Sequence, residues 1–283
     1  MSIRRDTADQ IRLAWPLAGF FLLFFIAPLI ILILVSFHTG PDMKTYGITQ
    51  WVKLLGDGFS WRVLGDTLWL GVEVTALCLV LGLPLAWAYV RCPRGVQTLL
   101  IVVIVLPLLT SVVVRTFAWI VMLGRQGIIN SLLQALGVID SPARLLYSTG
   151  GLVVALANVQ LPLMVLPLIT ALQKLDPNLL DASEALGAGA WRTFWRITLP
   201  LALPGIVAGC LLTYAASITA FITQSLVGGG QMLFMPMYIY QQASALQNWP
   251  FAAAISILFL VAVLLCVSLF NFLGRMSRGY AQA

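Results

Sequence analysis

Charged side chains are scarce in this chain. They make up 9% of its 283 residues, while hydrophobic ones make up 60%. A soluble domain carries about 25% charged residues. A soluble protein with so little charge has no means of covering its surface, so the polypeptide belongs in a bilayer. Histidine is nearly absent: His38 is the only one, placed at the end of an apolar run where it reads as an interfacial residue rather than a base. No His-Glu-x-x-His or Gly-x-Ser-x-Gly run occurs, which removes the usual signatures of an intramembrane hydrolase. No phosphate-binding P-loop occurs either, so the chain carries no ATP-hydrolysing site. Cysteine is limited to Cys78, Cys92, Cys210 and Cys266. None falls in an expected outside loop, where disulfides persist, and their spacing fits no metal motif. They read as small apolar residues, with no metal site expected. Low-complexity tracts, linkers and obvious repeats are missing too, which leaves a single membrane domain over residues 1–283.

What the chain has in abundance is long apolar runs. A bilayer core of roughly 30 Å takes about 20 helical residues. Six stretches reach that length: about residues 14–37, 68–90, 98–123, 151–172, 201–227 and 251–273. The runs are continuous rather than alternating, so an all-α membrane protein is expected and not a barrel. Pro28, Pro84, Pro107, Pro162, Pro167 and Pro204 lie inside them, which membrane helices tolerate where neighbours satisfy the freed carbonyls. The first run is too long for a signal-peptide core and reads as an uncleaved anchor. Between the runs, Ile48–Leu55 carries Trp51, Leu54 and Leu55 at helical spacing after a candidate Thr49 cap. Gly127–Gly137 has Ile128, Leu132, Leu133 and Leu136 on one side. Both read as short helices on the outer interface. Gly228, Gly229 and Gly230 must break the fifth span.

Charge placement gives an orientation. With the N-terminus inside, the inner segments hold Arg4, Arg5, Arg12, Arg91, Arg94, Lys174, Arg192, Arg196, Arg275 and Arg278. The outer ones hold Lys44, Lys53, Arg62, Arg125 and Arg144. Ten against five supports both termini on the cytoplasmic side. The net charge of +6 is then an insertion signal; no contiguous basic patch suggests nucleic acid.

A polar residue inside a span needs a partner or a purpose. Glu73 and Arg115 are the two charges, at similar depth from the outer side, which makes them a candidate intramembrane ion pair or direct participants in solute passage. Asn158 and Gln160 form one polar cluster. Thr213, Tyr214, Ser217, Thr219, Thr223, Gln224 and Ser225 form a larger one. On a regular helix Thr213, Ser217 and Gln224 share about one face. The solute-pathway candidates are therefore Thr213, Tyr214, Ser217, Gln224, Asn158, Gln160 and Glu73, with helix packing as the alternative reading.

The most informative segment is DASEALGAGAWRTFWRITLP, Asp181–Pro200. It lies in the loop of residues 173–200 between the fourth and fifth spans, on the inside by the charge count. Asp176-Pro177 starts a short helix, since aspartate caps orphan N–H groups and proline suits the first turn. Gly187 ends that helix. Ala190–Ile197 forms a second one with Trp191, Phe194 and Trp195 as an aromatic footing, and Leu199-Pro200 is expected to turn the chain into the fifth span.

This segment resembles the cytoplasmic loop by which permeases of binding-protein-dependent ABC importers grip their ATPase subunits. The family pattern is Glu-Ala-Ala, three residues, Gly, nine residues, Ile, one residue, Leu-Pro. Asp181, Ala182, Ser183, Gly187, Ile197, Leu199 and Pro200 fall in that register, with Asp181 in place of Glu and Ser183 in place of the second Ala. The resemblance covers most of the chain. Leu106–Leu133, Leu136–Ser148, Leu161–Pro177 and Asn248–Ser256 look like the spermidine/putrescine type, and the first of its two permeases. The resemblance implies a type I importer-permease fold in the bacterial inner membrane. It implies that Asp181, Ala182, Ser183, Glu184, Ala185 and Gly187 couple to ATPase, and that this chain is half of a pathway. The implied partners are two ATPase subunits, which bind ATP and magnesium, a second six-helix permease and a periplasmic solute-binding protein. No cofactor is implied on this chain. The solute implied is putrescine or spermidine, with an aminophosphonate or another small polar solute as the alternative.

Two other classes compete. A stand-alone secondary transporter or channel usually shows charged relays or inverted repeats with broken helices, and it leaves the Asp181–Pro200 segment unexplained. An intramembrane enzyme lacks its signature residues here.

Overall fold

A computed structural model describes residues 15–17 and 19–278. They are helical nearly throughout. Six helices are long and apolar enough to cross a membrane. The first is α1, Trp15–Ser36; Ala14 lies outside the described residues. It is followed by α2 (Thr49–Gly56), α3 (Gly58–Arg91), α4 (Arg94–Leu109), α5 (Val112–Leu123) and α6 (Ile128–Ala135). Then come α7 (Thr149–Gln173), α8 (Pro177–Ala185), α9 (Ala190–Thr193), α10 (Leu199–Ile218), α11 (Phe221–Gly228), α12 (Met235–Tyr240) and α13 (Trp249–Arg278).

Three boundaries differ from the sequence expectation. The third run is two helices, α4 and α5, separated at Thr110–Ser111. The fifth is interrupted at Thr219–Ala220, between α10 and α11. Leu199-Pro200 does not turn the chain: helix continues from Ala190 to Ile218 through a π-turn at Phe194–Thr198. A proline has no N–H to donate four residues back, and its ring crowds the carbonyl there. The π-turn removes the conflict by bonding the Leu199 N–H to the Phe194 carbonyl, five residues back. The same device precedes Pro28, where Leu22–Ile26 is a π-turn.

The chain divides into two compact units. One holds Tyr238–Val261 and the described residues up to Trp61. Here α2 begins at Thr49 with Ile48 as its cap residue and no side-chain cap, so Thr49 is not the cap. The outer segment is tied instead by longer bonds. Gln50 Nε2 donates to the Thr39 carbonyl at 2.7 Å, and Trp51 Nε1 to Ser36 Oγ at 3.2 Å. Asp57 starts α3 by accepting the Phe59 and Ser60 N–H groups and the Ser60 hydroxyl. Those bonds, the Ser60 hydroxyl first, hold its carboxyl below the usual carboxylate range. Ser60 Oγ lies 3.2 Å from the Tyr238 hydroxyl.

The other unit, Arg62–Met237 with the residues from Ala262 on, holds the core. Its centre is α7, whose Leu152, Ala155, Leu156, Met164, Val165 and Leu168 are buried. Helix α10 lies close against it because two glycines stand one helical turn apart. A Cβ on Gly205 would sit 2.8 Å from the Pro167 carbonyl oxygen, and one on Gly209 2.9 Å from that of Met164. This is small-residue packing of the Gly-x-x-x-Gly kind. The spacing was there in the sequence to be found.

Candidate coupling loop and membrane cleft

The loop after α7 is built from its caps. Asp176 Oδ1 accepts the Asn178 N–H at 3.0 Å with Pro177 in the first turn, as the sequence predicts. At the other end α8 closes in a Schellman motif. Gly187 N–H donates to the Glu184 carbonyl at 2.9 Å and Ala188 N–H to that of Ser183 at 3.0 Å. Gly187 has φ +77 and no atom lies within 4 Å of where its Cβ would be. The glycine is therefore required by backbone angle, not by space. Asp181, Ala182, Glu184, Ala185 and Gly187 are exposed.

Ser183 is the exception. It is 5% exposed, and its hydroxyl lies 2.8 Å from that of Thr193, itself 7% exposed. Thr193 Oγ1 also donates to the Gly189 carbonyl at 3.3 Å, so Ser183 is the donor in the pair. The departure from the family pattern at this position thus ties α8 to α9. Beyond it an aromatic cluster anchors the loop to the end of α3. The Phe194 ring lies 5.5 Å from that of Trp87 and 6.1 Å from that of Trp191. The Arg91 guanidinium sits 4.0 Å over the Trp87 ring. Leu186 and Trp191 remain 87% and 73% exposed, so a free apolar edge runs along the loop.

The second site is a cleft of about 490 Å³ where the two interrupted spans meet α7. Leu108, Val112, Arg115, Gln160, Thr219 and Thr223 line it. At each interruption a long side chain from the following helix reaches back to carbonyls at the end of the preceding one. Arg115 Nη1 donates to the Pro107 carbonyl at 2.5 Å and Nη2 to that of Thr110 at 3.5 Å. Gln224 Nε2 donates to the Ser217 carbonyl at 2.8 Å and that of Ile218 at 3.3 Å.

These bonds correct two expectations. Glu73 and Arg115 form no ion pair among the described residues. Arg115 is engaged by carbonyls, and Glu73 Oε1 accepts from Trp69 Nε1 at 2.9 Å. Thr213, Tyr214, Ser217 and Gln224 present no open face. All are 0–1% exposed within the chain. The single-face argument assumed an unbroken helix, and the break at Thr219–Ala220 turns Gln224 back onto the preceding segment. Ser217 Oγ bonds the Thr213 carbonyl at 2.6 Å, and the Tyr214 ring packs 5.3 Å from that of Phe270.

Gln160 does reach the cleft. It is 7% exposed, and its amide makes no hydrogen bond among the described residues. Asn158 lies on the exposed side of α7, 3.4 Å from Trp119 Nε1. Thr219, named in the larger polar cluster, joins Gln160 here because it sits in the interruption itself. That interruption was invisible in an apolar run carrying no proline or glycine between Gly209 and Gly228.

Residues 11–278 match the family described as the binding-protein-dependent transport system inner membrane component. The spermidine/putrescine transport system permease protein PotB of Escherichia coli is 35% identical over 245 residues, 85% of this chain and 89% of that protein. PotB of Haemophilus influenzae is 34% identical over 241 residues, covering 83% and 84%. Among solved structures, a bacterial ABC transporter for import of the acidic polysaccharide alginate contains a chain that superposes with a TM-score of 0.76. It covers 97% of both chains at 20% identity, a likeness of fold.

Proposed function

From the premise that this chain belongs to the family of inner-membrane components of binding-protein-dependent transport systems, we propose that it forms half of an ATP-driven import pathway for a polyamine, putrescine or spermidine. The chain is a multi-pass permease of the bacterial inner membrane, a part of an ABC importer. The polyamine reading rests on the identity to PotB over 85% of the chain.

The observation that carries the coupling role is the capped, exposed helix α8, fixed to α9 through Ser183 and Thr193. Its exposed side suits a cleft on a soluble ATPase. Two such ATPase subunits, each holding ATP and magnesium, would close and drag the loop. A second six-helix permease would complete the path, and a periplasmic binding protein would deliver the solute. Both termini face the cytoplasm in this arrangement. Rigid-body movement of the loop reaches α10 without a hinge, because helix is continuous from Ala190 to Ile218. The cleft at Gln160 and Thr219 lies at the far end of that lever and is this chain's stretch of the pathway.

One observation favours a second reading, a solute with an acidic group such as an aminophosphonate: Arg115 lines the cleft. Two of its five N–H donors go to carbonyls, and the identity to PotB over 85% of the chain keeps the polyamine reading ahead. The test is reconstitution of the four-component importer in proteoliposomes with external radiolabelled putrescine and internal ATP. Accumulation that requires ATP and the binding protein supports the reading. Accumulation of an aminophosphonate with none of putrescine replaces it with the second.

A further inference from the structure

The mechanism above leaves one intramembrane charge, the partly buried Glu73, without a use. Glu73 stands near the middle of α3, a helix of 34 residues. Its Oε1 accepts the indole N–H of Trp69, one turn earlier, at 2.9 Å. Its Oε2 is shielded from solvent and has no hydrogen-bond partner among the described residues. Inside a membrane an ionised carboxylate needs a cation, and Arg115 is committed to the carbonyls of Pro107 and Thr110.

The position of the pair in the fold is specific. Gly71, midway between Trp69 and Glu73, packs on α10, where its Cβ would lie 2.8 Å from the Tyr214 ring. At 100° per residue, Trp69 and Glu73 project from nearly the opposite side of α3. Trp69 is 63% exposed there. Tyr214 belongs to the last turns of α10 before the break at Thr219. Glu73 therefore sits at the depth of the interruption that forms the cleft. A carboxylate will not face lipid at that depth, so this side of α3 faces protein or the water path.

We propose that Trp69 and Glu73 form a receiving site for an alkylammonium group, a step for the solute outside the cleft itself. The indole N–H bonds Oε1, so the exposed ring and the carboxylate lie side by side on one face of α3, and Oε2 is left without a partner among the described residues. A carboxylate next to an exposed indole face is the combination that attracts an ammonium ion: Coulomb attraction from one side and the ring quadrupole from the other. Each contact is single and weak enough to release its cation, as a conducting site must be. The inference rests on the polyamine reading and names the residues that would serve it.

The test uses the complete importer in proteoliposomes, with putrescine-loaded binding protein. Glu73→Gln and Trp69→Leu are each expected to lower putrescine uptake at least about tenfold, the factor carried by a modest loss of binding free energy. Trp69→Phe, which keeps a ring face, is expected to stay within about threefold of the starting importer. ATP hydrolysis stimulated by the loaded binding protein should persist in all three. A direct measurement accompanies it. A single cysteine replacing exposed Trp69, in a chain without the four native cysteines, should react faster with a cationic methanethiosulfonate than with an anionic one, and putrescine should slow it. Adding Glu73→Gln should abolish the preference. Unchanged uptake in Glu73→Gln, or equal reactivity toward both reagents, overturns the proposal. So does loss of the second permease from purified Glu73→Gln complexes, which would make Glu73 an ion-pair partner between subunits. If the unaltered importer carries another solute and no putrescine, the polyamine reading fails and takes this site with it. If it carries putrescine and Glu73→Gln carries as much, only the site fails.

Discussion

The guanidinium of Arg115 donates to the carbonyl of Pro107, eight residues back, across the break between α4 and α5. An intramembrane charge that sequence depth alone would pair with Glu73 is spent on the backbone instead. The broken span explains the choice. A helix that ends within the membrane leaves carbonyls without their helical N–H partners, and lipid cannot satisfy them. A guanidinium presents several donors in one plane and satisfies two of them at once. Its positive charge also complements the negative end of α4.

Arg115→Leu should therefore destabilise the chain by about 1.5–3 kcal/mol, the range for hydrogen bonds to a charged group. Arg115→Lys should recover only part of this, because one ammonium does not reproduce the fork. The pairing with Glu73 is tested by a double-mutant cycle with Glu73→Gln and Arg115→Gln, read by thermal unfolding in detergent. Losses that add to within about 0.5 kcal/mol are expected for residues that do not interact. A coupling well beyond that would restore the ion pair.

Gly187→Val should lose transport while membrane insertion and amount stay normal. Space is not the obstacle, since no atom lies within 4 Å of a Cβ at this position. The obstacle is φ +77, which costs a β-branched residue roughly 1–2 kcal/mol or more. That is enough to distort the end of α8 without unfolding the chain. Gly187→Asn, which tolerates the left-handed region better, should retain most transport. Full transport with normal ATPase stimulation in Gly187→Val would detach this glycine from coupling.

Ser183→Ala and Thr193→Val should each loosen α8 from α9, with a coupling energy of about 0.5–1.5 kcal/mol between them. Among the described residues, this buried hydroxyl pair is the one side-chain hydrogen bond that links the two helices. The functional sign is ATP hydrolysis that continues with less solute moved per ATP. Equal stoichiometry in the double variant would show that the aromatic cluster around Phe194 suffices.

Much of the scaffold was legible because it follows from one-dimensional rules. Six apolar runs, the Asp176-Pro177 start and the Gly187 stop depend on residues within a few positions of each other. The departures arise where tertiary contacts decide. Nothing within the apolar run around Thr219 announces an interruption, because the carbonyls at the end of the preceding helix are taken by Gln224, a residue that reads as one more polar side chain. The π-turn before Pro200 replaces an expected turn for a similar reason: helix can absorb a proline by widening one turn, and composition does not say which remedy is used. The role of Arg115 depends on a break in its own span, so no matching of depths between spans would have found it.

The same break redirects the search for the solute path. A regular helix would put Thr213, Ser217 and Gln224 on one wet face, but all three are sealed in the chain at 0–1% exposure. Burial by this chain's own helices does not depend on a second permease, so it should persist in the assembled importer. Gln160 and Thr219 line the cleft instead. Single cysteines at Gln160 and Thr219, in a chain without the four native cysteines, should therefore react with a small water-soluble thiol reagent. Those at Thr213 and Ser217 should react at least about tenfold more slowly, since reaction there requires a local opening whose free-energy cost lowers the rate in proportion to the open population. Trapping the ATPase with nucleotide should change the rates at Gln160 and Thr219 and leave the other two slow. Rapid labelling at Thr213 and Ser217 with silence at Gln160 and Thr219 would return the pathway to the face that the unbroken helix implied.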